Sequence, residues 1–116
     1  RRSMRKYGLE LMCSAQVGDG LYIAHPFGTT IYSRVIGPNC TFVGACTSGI
    51  RDGGFPTFGS EVYVGAGARV IGKIHLGDRC KIGANAVVVK DVEAETTVVG
   101  IPARPIGEAP VSEEQQ

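Results

Sequence analysis

His25 stands in "LYIAHPFG" (21–28) and is one of only two histidines in the chain. Imidazole titrates near neutral pH, which suits it to taking a proton from a hydroxyl and giving it up again. The other histidine, His75 in "KIHLGD" (73–78), reads as a plain surface residue. Cysteines at 13, 40, 46 and 80 form no CxxC pair and have no neighbouring histidine, so no metal site is expected. "GARVIGKI" (67–74) imitates a phosphate loop, but Ile74 stands where the Mg²⁺-binding Ser or Thr belongs, and the segment lies inside the repeat described next.

These residues must be positioned by a chain with an unusual beat. Counting in sixes gives Phe58, Val64, Val70, Leu76, Ile82 and Val88, all apolar. Gly59, Gly65, Gly77 and Gly83 follow four of them, and four places after the anchors come residues such as Val62, Ala68, Cys80 and Ala86. A six-residue period is neither helix nor plain strand. The first half keeps it with more noise: Leu11, Val17 and Ile23 are anchors, Thr29 a weak one, and one extra residue shifts the phase to Ile36 and Phe42. "TSGIRDGGFPT" (47–57) breaks the pattern and predicts a protruding loop.

Hexapeptide repeats of this kind predict an all-β fold, a parallel β-helix with about 18 residues to each triangular coil. Anchors should point inward, the glycines should serve positive φ in the turns, and Cys40, Cys46 and Cys80 should fill narrow corners as free thiols. One domain spans 1–116: repeats over about 11–93, the loop at 47–57, and a C-terminal cap and tail at 94–116. A net charge of +1 gives no reason to expect nucleic acid. The basic start (Arg1, Arg2, Arg5, Lys6) and acidic end (Glu108, Glu113, Glu114) read as solvated tails. No apolar run approaches a membrane span and no signal peptide is visible, so a cytoplasmic location is expected. The chain opens on Arg1 rather than Met, leaving room for a preceding segment.

With "VVVKDVEAETTVVGIPARPIG" (87–107) after it, the rhythm resembles the hexapeptide-repeat acyltransferases, most closely their serine acetyltransferase branch, over about residues 8–107. The resemblance implies a left-handed coil, an exception to the usual crossover hand, and an acetyl-CoA-dependent O-acetyltransferase. It makes His25 the general base and Glu10, fifteen residues upstream and thus about one rung away, the carboxylate that orients it. It assigns acetyl-CoA to Ala66, Ala84, Val89, Lys90 and Arg104, and implies a homotrimer with sites between subunits. In the loop, serine acetyltransferases carry a second histidine that helps hold the acceptor; here that place is Phe55, with Arg51 and Asp52 nearby to answer a carboxylate and an amine. The exchange favours a sugar or glycan-precursor hydroxyl over serine, with serine O-acetyl transfer for cysteine biosynthesis as the alternative. The ending "VSEEQQ" lacks the terminal isoleucine through which such enzymes dock a partner synthase, so that complex is not expected. Two other readings carry less: a carbonic-anhydrase-like zinc enzyme, for which His25 and His75 have the wrong spacing, and a non-catalytic oligomerisation module.

Overall fold

Repeats of six leave room for a strand of a few residues and a corner, so each strand finds its partners one coil before and one coil after. The computed structural model describes residues 3–6 (backbone only), 8–12 and 15–106. Among them the strands run β1 (Ser3–Lys6), β2 (Leu9–Met12), β3 (Gln16–Val17), β4 (Tyr22–His25), β5 (Thr29–Ile31), β6 (Val35–Ile36), β7 (Thr41–Gly44), β8 (Thr47–Gly49), β9 (Thr57–Phe58), β10 (Tyr63–Val64), β11 (Arg69–Ile71), β12 (His75–Leu76), β13 (Lys81–Ile82), β14 (Val87–Val88), β15 (Thr97–Val99) and β16 (Arg104–Pro105). Three sheets form the faces of a prism: β1-β2-β5-β8-β11-β14, then β3-β6-β9-β12, then β4-β7-β10-β13-β15-β16. Coil pairs with coil in parallel; β1 on β2 and β15 on β16 are antiparallel and cover sheet edges.

The ends differ from expectation. Arg5 and Lys6 belong to β1 and are not part of a loose tail. β15 pairs in parallel with β13, so the coils run on to Val99, past the expected end at 93. The loop shrinks to residues 50–56, because β8 takes Thr47–Gly49 and β9 takes Thr57. Cys13, Gly107 and the acidic end lie outside the described residues.

Inward positions stack in columns. Phe42, Val64, Ile82 and Val98 line the third face, and Ile36, Phe58 and Leu76 the second, all at most 3% exposed. The Phe42 and Phe58 rings meet edge to face at 5.3 Å between centroids. The first-face column runs Leu11, Ile31, Ser48, Val70, Val88. Ser48 is buried but satisfied, its hydroxyl donating to the Tyr32 carbonyl at 2.8 Å. Ile31, not Thr29, is therefore the anchor of its coil, and Thr29 fills the corner with Cys46, Ala68 and Ala86. Cys40, Cys46 and Cys80 are buried free thiols, as expected of corner fillers. Burial pushes the Cys80 thiol up to about 12.

The glycines directly after the anchors, Gly59, Gly65, Gly77 and Gly83, do a different job from the one expected. Positive φ occurs three places after the anchor, at Asn39, Ala45, Glu61, Gly67, Arg79, Asn85 and Glu95. The glycine directly after the anchor lies where successive coils come closest. A Cβ on Gly65 would sit 2.8 Å from the Ala84 nitrogen and the Ile82 oxygen.

Candidate functional site

The corner after β4 is where the prism departs from its own rule. From third-face anchor to first-face anchor the chain takes six positions in three coils (Phe42 to Ser48, Val64 to Val70, Ile82 to Val88), but eight from Ile23 to Ile31. The enlarged turn holds His25-Pro26-Phe27-Gly28. It is braced: the Thr29 hydroxyl donates to the His25 carbonyl at 3.1 Å, Thr29 N–H to Pro26 O at 3.0 Å, and Gly28 N–H to Gly8 O at 2.9 Å. Gly44 sits beside His25 on the next coil, and a Cβ there would meet the His25 Cβ at 2.8 Å. The result is an imidazole stem anchored in a rigid turn, with the side chain exposed and not folded into the core.

Glu10 lies half-buried on β2, in register with Thr30, and its carboxylate accepts a hydrogen bond from the Tyr32 hydroxyl. Among the described residues nothing hydrogen-bonds the His25 ring. Among the described residues no hydrogen bond joins Glu10 to His25: Glu10 lies on the first face beside Tyr32, and His25 occupies the corner before that face. Tyr32 was not among the residues singled out in the sequence, where a tyrosine in a hexad has no distinguishing signal.

The cofactor candidates fall into two groups. Val89, Lys90 and Arg104 line one cleft of about 470 Å³ together with Thr96, Pro102 and Ala103. Ala66 and Ala84 do not line it; they stack one coil apart on an open edge, where Asn85 N–H donates to Ala66 O at 2.8 Å. That edge is the same corner as His25, four strand steps from β4 to β15, or about 19 Å at the spacing of paired strands. Arg104, in register with Val99, closes its far end. A long thin molecule laid along the edge would reach from His25 to Arg104, with a second wall still wanting.

The acceptor candidates do not converge. Arg51 and Asp52 sit at the exposed tip of a turn closed by the Arg51–Gly54 pair, and their side chains pair at 3.6 Å. Phe55 is buried to 8% exposure, tilted against Tyr32 at 6.3 Å with the Arg34 guanidinium 5.4 Å from its centroid. The ring is packed into the loop base. No cluster of three or more potential metal ligands occurs among the described residues.

The hexapeptide-repeat family described as "Bacterial transferase hexapeptide (six repeats)" matches residues 55–90. With the left-handed parallel β-helix this makes the chain a hexapeptide-repeat transferase. Serine acetyltransferase of Synechococcus elongatus is 39% identical over 104 residues, 85% of this chain and 43% of the relative. The structure of Neisseria gonorrhoeae serine acetyltransferase in complex with serine superposes with a TM-score of 0.79 at 38% identity, over 84% of this chain and 42% of that one. A serine acetyltransferase in complex with CoA gives 0.79 at 32% identity, covering 84% and 42%. Within the hexapeptide-repeat transferases the chain belongs to the serine acetyltransferase-like branch. It spans less than half the length of these three relatives.

Proposed function

We propose that the chain catalyses acetyl transfer from acetyl-CoA to the hydroxyl of serine, with His25 as general base. The supporting observation is an exposed imidazole at the one enlarged corner of its kind, on the edge that runs past Ala66 and Ala84 to Arg104. His25 takes the hydroxyl proton as the oxygen attacks the thioester carbonyl. The tetrahedral oxyanion collapses, the C–S bond breaks, and the departing CoA thiolate takes the proton back from the imidazolium. A positioned base contributes about 10²–10⁴-fold, and holding both substrates on one edge contributes through proximity.

Lys90 and Arg104 hold the phosphates, since charge-assisted hydrogen bonds to phosphate are the strong ones. The open edge at Ala66 and Ala84 takes the pantetheine. The edge gains its second wall from a neighbouring prism in a homotrimer, and the protein works in the cytoplasm, where acetyl-CoA is supplied. No helix among the described residues is long and apolar enough to cross a membrane.

Serine is preferred because the relatives named above act on or bind it. One observation favours a sugar hydroxyl instead: Phe55 stands where the loop histidine of serine acetyltransferases is expected, and a phenyl ring cannot hydrogen-bond a carboxylate. Thiol release from acetyl-CoA, measured against a panel of serine, homoserine and simple sugars, decides between them. Turnover with serine alone supports the first reading; turnover with sugars alone replaces serine; none with any acceptor removes the enzymatic reading. Light scattering at micromolar concentration checks the trimer, which a monomer would exclude.

A further inference from the structure

On the side of the loop facing β12, a cavity of about 520 Å³ opens whose lining includes Arg34, Phe55, Lys73, Ile74, His75 and Asp91. None of these is given a part in acetyl transfer except Phe55, whose ring is packed away. Its charge is lopsided. Arg34 and Lys73 form no ion pair among the described residues. Asp91 is the one acid in the lining, and its Oδ1 already accepts the His75 backbone N–H at 2.9 Å.

The donors are also prearranged. Arg34 lies over the Phe55 ring at 5.4 Å, a cation–π contact that holds the exposed guanidinium beside the cavity without using up its charge. Thr57 Oγ1 stands 2.8 Å from His75 Nδ1, which leaves Nε2 as the ring nitrogen open to a ligand. Gly54 lets the loop close on the lysine: a Cβ there would meet Lys73 Cγ at 2.8 Å.

We propose that this cavity is a second binding site, for a small molecule bearing a phosphomonoester. Arg34, Lys73 and His75 Nε2 hold the phosphate, and the body of the molecule lies beside Ile74 and Phe55. With Asp91 in the lining the side-chain charge is still net positive, and three separate donors match the three terminal oxygens of such a group, where a carboxylate brings two. The volume is that of an ordinary small-molecule site. The inference stands apart from the acetyl-transfer reading and survives its failure.

The test is a titration of the intact protein with methyl phosphate, followed through NMR signals of the His75 ring and the arginine Nε–H groups, with acetate as comparison. Saturable shifts in the millimolar range or below are expected. Arg34→Gln and Lys73→Gln should each weaken binding about tenfold or more, the loss of one charge-assisted contact. Lys81→Gln, an exposed lysine of β13 outside the lining, should bind as wild type. Thermal unfolding qualifies each variant, and His75→Gln serves as a further variant that leaves the Arg34–Phe55 contact intact. Shifts that never saturate, binding that survives both charge removals, acetate binding as tightly as methyl phosphate, or loss of binding in Lys81→Gln (which would put the phosphate outside this cavity) would each overturn the proposal.

Discussion

Two substitutions at turns of the coil should move stability in opposite directions, and the signs follow from the backbone. Gly65 has no positive φ, so alanine meets no conformational objection there. What it meets is the next coil: its Cβ would lie 2.8 Å from both the Ala84 nitrogen and the Ile82 oxygen, and neither is a flexible side-chain end. Gly65 N–H also donates to that same Ile82 oxygen at 2.8 Å, so relief by sliding the coils would lengthen a ladder bond. Overpacking of this kind costs about 1–3 kcal/mol. The smaller unfolded-state entropy of alanine returns about 0.4–1 kcal/mol, leaving a net loss of about 1–2 kcal/mol for Gly65→Ala. Ala45 is the reverse case: exposed, with φ +49. A left-handed conformation costs an L-residue about 1–2 kcal/mol, against about 0.5–1 kcal/mol of extra chain entropy lost by glycine. Ala45→Gly should therefore gain about 0.5–1 kcal/mol. At about 4–8 °C per kcal/mol for a domain of this size, the two melting temperatures should separate by roughly ten degrees. Circular dichroism melts at matched protein concentration measure it, since any assembly adds a concentration term. If Ala45→Gly melts below wild type while Gly65→Ala does not, the roles assigned to the two turn positions are wrong.

The remaining predictions concern chemistry. His25→Ala should lower kcat by about 10²–10⁴-fold while acetyl-CoA still binds by calorimetry; turnover within threefold of wild type removes His25 as the base. Glu10→Gln should cost under about tenfold in kcat, much less than a positioned base contributes, because the carboxylate accepts from the Tyr32 hydroxyl and, among the described residues, no hydrogen bond joins it to the His25 ring; a loss equal to that of His25→Ala would show that the two act as a unit. Arg104→Ala should raise the KM for acetyl-CoA with less effect on kcat, and an unchanged KM takes Arg104 out of the cofactor site. Burial raises Cys80 from 9.0 to about 12, so the native state keeps the proton that the unfolded chain releases. Its contribution to stability is whole below pH 9 and lost as pH rises toward 12. Urea midpoints that rise over that window contradict it, as does labelling of Cys80 by a thiol reagent at pH 8 at the rate of an unfolded control.

The scaffold was legible because a six-residue repeat is redundant: six anchors from Phe58 to Val88 share one phase, and the shorter runs before them keep the same period with a shift. What stayed hidden were the places where a coil changes length. Thr29 keeps the count of six from Ile23, yet in space it is a corner filler, because two extra residues at the His25 turn and one fewer before Ile36 net to a single shift. A sequence count sees only that sum. Glycine was misread for a related reason. Positive φ is a property of one residue and can be guessed locally, whereas the approach of Gly65 to Ala84 joins residues a full coil apart.

The same limit explains the site. His25 and its turn are contiguous in sequence and were found; the Tyr32 hydroxyl on Glu10, and Phe55 packed against Tyr32 and Arg34, join two coils and the loop, and no spacing announced them. A repeat makes neighbours of residues about 18 apart, but every insertion resets that distance, and His25, Arg51, Asp52 and Phe55 all lie in insertions. Perfect coils need only small and apolar residues at fixed places and give chemistry nowhere to stand. A turn two residues too long lifts an imidazole out of the stack and braces it, and a seven-residue loop closes glycine onto Lys73 near a guanidinium held over Phe55. Function in such a prism should accordingly be sought at its irregularities. On that reasoning, shortening the His25 turn by Pro26 and Phe27 should preserve the coils and remove turnover, and retained activity in that deletion would sever the link between the enlarged corner and the chemistry.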